Sequence, residues 1–255
     1  MTEIPNLENI SIVLKRPRYP ENIGAVVRAG HNMGITSLIV VEPLDYDKTR
    51  ILRMATHATA DAVDRIKVFD SLKEALSPFN YIVGTTARMG KHRQNFYAPS
   101  DIAGKIISLA ANNRIALLFG PEDRGLTNED LQFCHSFVNI PTAAFSSINL
   151  AQAVMIICYE VFSAQKKDQY EFLPKLANRH ELDAMYGQLK EILTRISFLN
   201  PQNPDYWMNN IRTFFSRLQL RAKEVNIIRG ICRQIDWYGE KRFRDGIDQG
   251  REKDC

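Results

Sequence analysis

Three short segments bring polar and charged side chains together at spacings that could serve chemistry. In Asn22-Ile-Gly-Ala-Val-Val-Arg28 an amide and a guanidinium lie on a segment with helical spacing. Gly24 and Arg28 are four residues apart on one face, off the apolar stripe, which leaves room beside the guanidinium for a phosphate or a substrate oxygen. A glycine costs about 1 kcal/mol relative to alanine inside a helix, so its presence points to a need for space. The plain alternative is that Asn22 caps the helix and Arg28 is surface charge.

Gly120-Pro-Glu-Asp-Arg-Gly125-Leu-Thr127 sits between an expected strand and an expected helix, the setting of a phosphate loop. It is not one. The lysine such a loop needs is Leu126, and Glu122 and Asp123 would repel a polyphosphate. What remains is a sharp turn carrying a carboxylate at the C-terminal end of a strand, where open α/β sheets bind ligands; an ordinary strand-to-helix turn is the alternative. Phe145-Ser146-Ser147-Ile148-Asn149 opens a long apolar helix; either serine would cap it, while free N–H groups at a helix start, with the Asn149 amide, also bind a carboxylate or a purine edge. Gly84-Thr85-Thr86-Ala87-Arg88 ends another strand with a glycine and two hydroxyls, a further wall for the same pocket. The histidines at 31, 57, 92, 135 and 180 have no partners at metal-ligand spacing, and no serine occupies a nucleophile elbow.

The elements that must position these groups are legible in the apolar pattern. Runs at 10–14, 37–41, 81–84, 115–119 and 136–140 are short, nearly continuous and rich in β-branched residues, as strands buried on both faces are. Between them Ile23, Val26, Val27, Gly30 and Gly34 share one helical face, and Leu150, Val154, Ile157 and Val161 another. Alternation of strand and helix predicts an α/β domain over 1–164 with a mostly parallel sheet flanked by helices. Residues 165–178 are polar and charged, as a linker is. Amphipathic stretches between Leu182 and Ile235, broken at Pro201 and Pro204, predict a small all-α extension over 179–238. Residues 239–255 are dominated by charge and are expected to be a mobile tail.

Composition narrows the function classes. The 255 residues are 45% hydrophobic and 24% charged, enough for one large core and a smaller second one. No apolar run approaches the roughly 18 to 20 residues of a membrane span, and no export signal is visible. Four cysteines at 134, 158, 232 and 255 have neither disulfide-framework nor zinc-knuckle spacing, so a cytoplasmic, metal-free protein is expected. Residues 1–165 carry 16 Lys/Arg and 16 Asp/Glu, whereas residues 166–255 carry 17 and 13. The positive excess lies in the last third, as an acidic partner such as nucleic acid would favour; a solvated surface is the alternative.

The order of NIGAVVR near residue 22, LLFGPEDRGLTNEDL near 117 and FSSINLAQAV near 145 resembles the SPOUT (SpoU-type) RNA 2′-O-ribose methyltransferases, over residues 9–164. FLPKLANRHELDAMYGQLKEIL and KEVNIIRGICRQI are similar to the C-terminal extension of the tRNA (cytidine/uridine-2′-O-)-methyltransferases that act at position thirty-two of the anticodon loop. The resemblance implies S-adenosylmethionine as methyl donor and S-adenosylhomocysteine as product, a C-terminal trefoil knot, and a homodimer with active sites at the interface. It implies a cofactor pocket of Thr85, Thr86, Ala87, Gly120, Ile140, Ser146, Ser147 and Ile148, with Asn22, Arg28, Glu122, Ser147 and Asn149 at the reacting groups. The expected partner is tRNA. The same chemistry on the wobble nucleotide or on ribosomal RNA, or a fold that binds RNA without catalysis, are the competing readings.

Overall fold

Ile10–Lys15 forms β1, buried at all six positions, near the middle of a seven-stranded sheet in the computed structural model. The structure describes residues 7–87, 96–166, 173–200, 202–216 and 218–251. Arg88, His92, Arg217 and Cys255 therefore lie outside the described residues.

The chain continues through α1 (Pro20–Asn32), β2 (Ser37–Val41), α2 (Lys48–Ala55), α3 (Ala60–Asp64), β3 (Lys67–Phe69), α4 (Leu72–Leu76) and β4 (Tyr81–Thr85). Then come β5 (Phe96–Tyr97), α5 (Pro99–Ala110), β6 (Ile115–Phe119), α6 (Asn128–Leu131), β7 (Ser136–Val138) and α7 (Leu150–Gln165). Every strand pair is parallel, in the order β3-β2-β1-β6-β4-β7-β5. Val13 pairs with Ile39 on one side and Leu118 on the other, and Val83 pairs with Leu117. β7 is inserted between β4 and β5, which are neighbours in sequence. Because the strands are parallel, the loops that follow β1, β6, β4 and β7 all leave the same edge of the sheet, side by side.

Both faces of the sheet are covered, which is why its inner strands read as continuous apolar runs. One face packs on α1, α5 and α7, with Ile12, Val26, Ile106 and Val154 in a single cluster; the other packs on α4 and α6 through Val13, Leu76, Phe79 and Leu131. Gly24 reports a close helix approach. A Cβ there would lie 2.2 Å from the Ile51 carbonyl oxygen and 2.9 Å from Met54 Cβ, so α1 and α2 touch through this residue. The glycine thus serves the close packing of α1 on α2, where the sequence-based expectation was room beside Arg28.

The chain forms two compact units, residues 1–176 and 177–255. The segment 165–178, expected as a linker, is mixed in character. α7 runs to Gln165, and the backbone near 173–176 is bound by the first unit: Asn113 Nδ2 donates to Pro174 O, Leu176 N donates to Asn113 Oδ1, and Asn80 Nδ2 donates to Leu176 O. Asparagine amides supply the donor and acceptor that an extended backbone demands when it is buried.

The second unit comprises α8 (Arg179–Arg195), α9 (Pro204–Ser216) and α10 (Ala222–Arg251). An Asn178–Glu181 capping box starts α8. Leu182, Met185, Tyr186, Leu199, Met208 and Val225 form the core of this unit. The stretch from Gly239 onward, expected to be a mobile tail, continues α10 as helix to Arg251. Its Glu, Lys and Arg residues have good helix propensity, and Asp236 and Glu240 both reach Arg195 of α8. Arg229 donates from Nε to Gln188 Oε1, whereas Arg221 and Arg233 are exposed. No helix is long and apolar enough to cross a membrane among the described residues.

Candidate active site

Four loops on one sheet edge build the site. The turn after β1 carries Arg18 and Tyr19 into α1. Tyr19 takes the N-cap position and Pro20 the first helical one, so Asn22 lies inside the first turn and is not the cap. Its amide is thereby free to reach across the sheet. Asn22 Nδ2 donates to Glu122 Oε1 at 2.7 Å, and the Arg18 backbone N–H donates to Glu122 Oε2 at 3.0 Å. Both carboxylate oxygens of Glu122 are engaged in tying the β6 loop to the β1 loop, a hundred residues away. Glu122 therefore ties its own loop to the one that follows β1. Beside it the Arg18 guanidinium pairs with Asp123 at 2.7 Å.

The β6 loop is shaped by two glycines. Gly125 has φ of +67°, and a Cβ on Gly120 would lie 2.3 Å from both Gly125 C and Leu126 N. The loop folds back on itself, Gly125 N donates to Pro121 O, and a Thr127–Asp130 capping box launches α6.

From β7 the chain runs through an exposed segment to α7. Neither serine caps that helix. Asn149 does, its Oδ1 accepting from Ala151 N at 2.9 Å and Gln152 N at 3.4 Å, while its Nδ2 donates to Asn22 Oδ1 at 3.2 Å. A continuous chain of hydrogen bonds thus runs from the start of α7 through Asn149, Asn22 and Glu122 to the backbone of Arg18. In the β4 loop, Thr85 Oγ1 donates to Leu118 O and Asn139 Nδ2 to Thr86 O, fixing both threonines against neighbouring strands.

Together these loops enclose a cavity of about 370 Å³. Thr85, Thr86 and Ala87 form one wall, Gly120 and Ile140 another, and Ser146, Ser147 and Ile148 a third. Glu122, Asp123 and Arg124 bring charge to its rim, and Phe119, Leu126 and Val138 supply apolar surface. The volume and mixed lining suit a small organic ligand with both polar and apolar parts. A second, more open recess adjoins it, sharing Glu122, Ser147 and Ile148 and adding Tyr19, Glu21, Asn22 and Asn149.

Arg28 stands apart. It is exposed on α1, lines neither cavity, and makes no hydrogen bond or ion pair among the described residues. Glu21 is committed elsewhere: the Arg50 guanidinium grips both its oxygens, at 2.8 and 3.0 Å, and holds its carboxyl below the usual carboxylate range. The sequence pattern singled out neither Arg18 nor Tyr19; the only local signal was an aromatic side chain before the proline that starts a helix.

Residues 9–159 match the SpoU rRNA Methylase family, and residues 180–247 match the C-terminal domain of the tRNA methyltransferase TrmJ. The chain is 36% identical over 239 residues to the tRNA (cytidine/uridine/adenosine-2′-O-)-methyltransferase TrmJ of Pseudomonas aeruginosa (strain UCBPP-PA14), covering 88% of this chain and 93% of that one. It is 34% identical over 238 residues to the tRNA (cytidine/uridine-2′-O-)-methyltransferase TrmJ of Cronobacter sakazakii (strain ATCC BAA-894), covering 90% and 97%. Among solved structures, TrmJ from Z. mobilis ZM4 superimposes with a TM-score of 0.77 at 27% identity, covering 89% of this chain and 98% of that chain. A probable methylase family protein from Haemophilus influenzae Rd KW20 superimposes with a TM-score of 0.60 at 30% identity, covering 92% and 99%.

Proposed function

Since this chain belongs to the SpoU methylase family, we propose that it methylates the ribose 2′-hydroxyl of a pyrimidine at position thirty-two of the tRNA anticodon loop, in the cytoplasm. One observation carries the reading. The cavity formed by Thr85, Thr86, Ala87, Gly120, Ile140 and Ser146–Ile148 opens beside a recess that holds Asn22, Glu122 and Asn149, so a donor and an acceptor nucleoside have adjoining places. The cavity fits S-adenosylmethionine in size and in its mix of hydroxyl, apolar and acidic lining, which suits a cationic ligand better than a polyphosphate. When bound there, the cofactor supplies a methyl carbon on a sulfonium and so needs no metal to activate its departure.

The residues of the chain align and polarise. Thr85, Thr86 and the Ser146–Ile148 segment hold the donor, and Asn22 and Asn149, locked to one another, orient the acceptor ribose. Neither carboxylate of the recess is a ready base, since Glu122 has both oxygens engaged and the Arg50 guanidinium, bound to both oxygens of Glu21, lowers that carboxylate's affinity for a proton. The 2′-proton accordingly passes to phosphate or water. A guanidinium is too weak an acid to give up its proton near neutral pH. Arg28 therefore binds the phosphate beside the target and stabilises negative charge developing on the 2′-oxygen.

A homodimer with the site at its interface is part of the proposal. It is supported by the exposure of Arg28, Ser146, Ser147 and Asn149, and by that of Phe145 at 79% before α7 and Tyr159 at 54% on α7. The knot that the resemblance implies belongs to this reading too, favoured by the insertion of β7 between β4 and β5.

The test is incubation with labelled S-adenosylmethionine and unmodified tRNA, then nuclease digestion and mass spectrometry. A 2′-O-methyl pyrimidine at position thirty-two is expected. Methyl transfer to the wobble nucleotide, to adenosine or to ribosomal RNA would overturn the substrate, and cofactor binding without transfer to any RNA would overturn the enzyme.

A further inference from the structure

Tyr19 is poorly explained by its place in the fold. It occupies the N-cap of α1, where Ser, Thr, Asp and Asn are favoured because their side chains accept from the first turn, yet it makes no such bond. The residue is 50% exposed and lines the recess that holds Asn22, Glu122 and Asn149.

The backbone that carries its ring is held on both sides. Pro20 confines Tyr19 to extended geometry, observed at φ −121° and ψ 123°, and Asn22 N donates to Tyr19 O. On the other side, the Arg18 N–H is bound by Glu122 and the Arg18 guanidinium by Asp123, which also leaves that guanidinium 6.0 Å from the Tyr19 ring centroid. A half-exposed aromatic ring on a pinned backbone, with a guanidinium over it, is a platform on which nucleobases stack.

Resting on the function proposed above, we infer that Tyr19 is a positioning residue for RNA: a base of the anticodon loop, the target or its neighbour, stacks on its ring and presents the ribose to Asn22 and Asn149. Stacking tolerates any base, so Tyr19 sets the placement of the loop and leaves base choice to other contacts.

The experiment compares Tyr19→Phe, Tyr19→Leu and Tyr19→Ala in the full chain. It measures tRNA affinity with S-adenosylhomocysteine present, S-adenosylmethionine affinity, oligomeric state and methyl transfer. Loss of one base stack should weaken tRNA binding by roughly tenfold in Tyr19→Leu and Tyr19→Ala, with Tyr19→Phe close to the parent. The loss should appear in KM for tRNA more than in kcat, with cofactor affinity and oligomeric state unchanged. Parent-like tRNA affinity in Tyr19→Leu would overturn the inference, as would a loss that follows weakened cofactor binding or a dissociated oligomer, since the ring would then serve packing. Affinity is read apart from turnover, so a parent chain that binds tRNA and transfers no methyl group would count against the function alone.

Discussion

Arg28 and Glu122 illustrate how little a residue's identity says about its task before its partners are known. Arg28 is exposed and lines neither cavity, so its proposed action on the 2′-oxygen depends on what the assembled site brings to it. Replacing it with alanine should lower kcat on the order of a hundredfold while leaving cofactor affinity intact. Arg28→Lys should recover little of that, because an ammonium cannot present a planar fork to phosphate and oxygen together. Full recovery with lysine, in steady-state assays at saturating tRNA, would leave only a point charge to explain. Glu122 makes the opposite case: both oxygens are already engaged. In Glu122→Gln an amide NH2 must face either the Arg18 N–H or Asn22 Nδ2, at a cost of about 1–3 kcal/mol. Calorimetry and turnover should therefore fall together, whereas a fall in turnover alone would mean that the carboxylate acts on substrate.

Helix ends and helix contacts carry the next set of constraints. Asn149 both caps α7 and donates to Asn22, and the two roles can be separated. Asn149→Ala should lose about 1 kcal/mol of stability together with activity. Asn149→Asp keeps an acceptor, and a negative charge, at the helix start, so its denaturation midpoint should stay near the parent while turnover drops. On α1, Gly24→Ala would gain helix propensity but drive a methyl group into the Ile51 carbonyl at 2.2 Å. The net effect should be destabilisation of about 1–3 kcal/mol by denaturant titration. A stabilised variant would show that α1 and α2 can slide apart. Inside α7, burial pushes the Cys158 thiol up to about 12, so alkylating reagents near neutral pH should spare it until the chain unfolds.

At the level of the molecule, each unit has its own apolar core. Residues 1–176 alone should keep cofactor affinity, because every residue lining the cavity belongs to them. We expect that fragment to bind tRNA more weakly and with a shallower dependence on salt than the full chain, since residues 177–255 carry 14 Lys/Arg against 11 Asp/Glu and so take most of the basic excess with them. Undiminished tRNA affinity would remove the second unit from RNA binding. A fragment ending at residue 165 should be less stable than one ending at 176, because Asn80 and Asn113 would lose the backbone partners near Leu176.

Burial on both faces leaves a local trace, and the runs of β1, β2, β4 and β6 were legible for that reason; so was the division between a parallel α/β region and a helical extension. The ordered motifs at 22, 117 and 145 carried the family resemblance because each is a contiguous string. β3 and β5 left no trace: they are short, and their residues are exposed or half-buried, so no apolar pattern marks them. The density of charge at 239–251 pointed away from order, yet propensity and ion pairs to α8 extend the helix. Above all, the partners of Glu122, the cap of α7, the reason for Gly24 and the setting of Tyr19 came only with tertiary structure. Each depends on which strands lie side by side, and a hydrogen bond between residues a hundred positions apart has no period for a sequence to display.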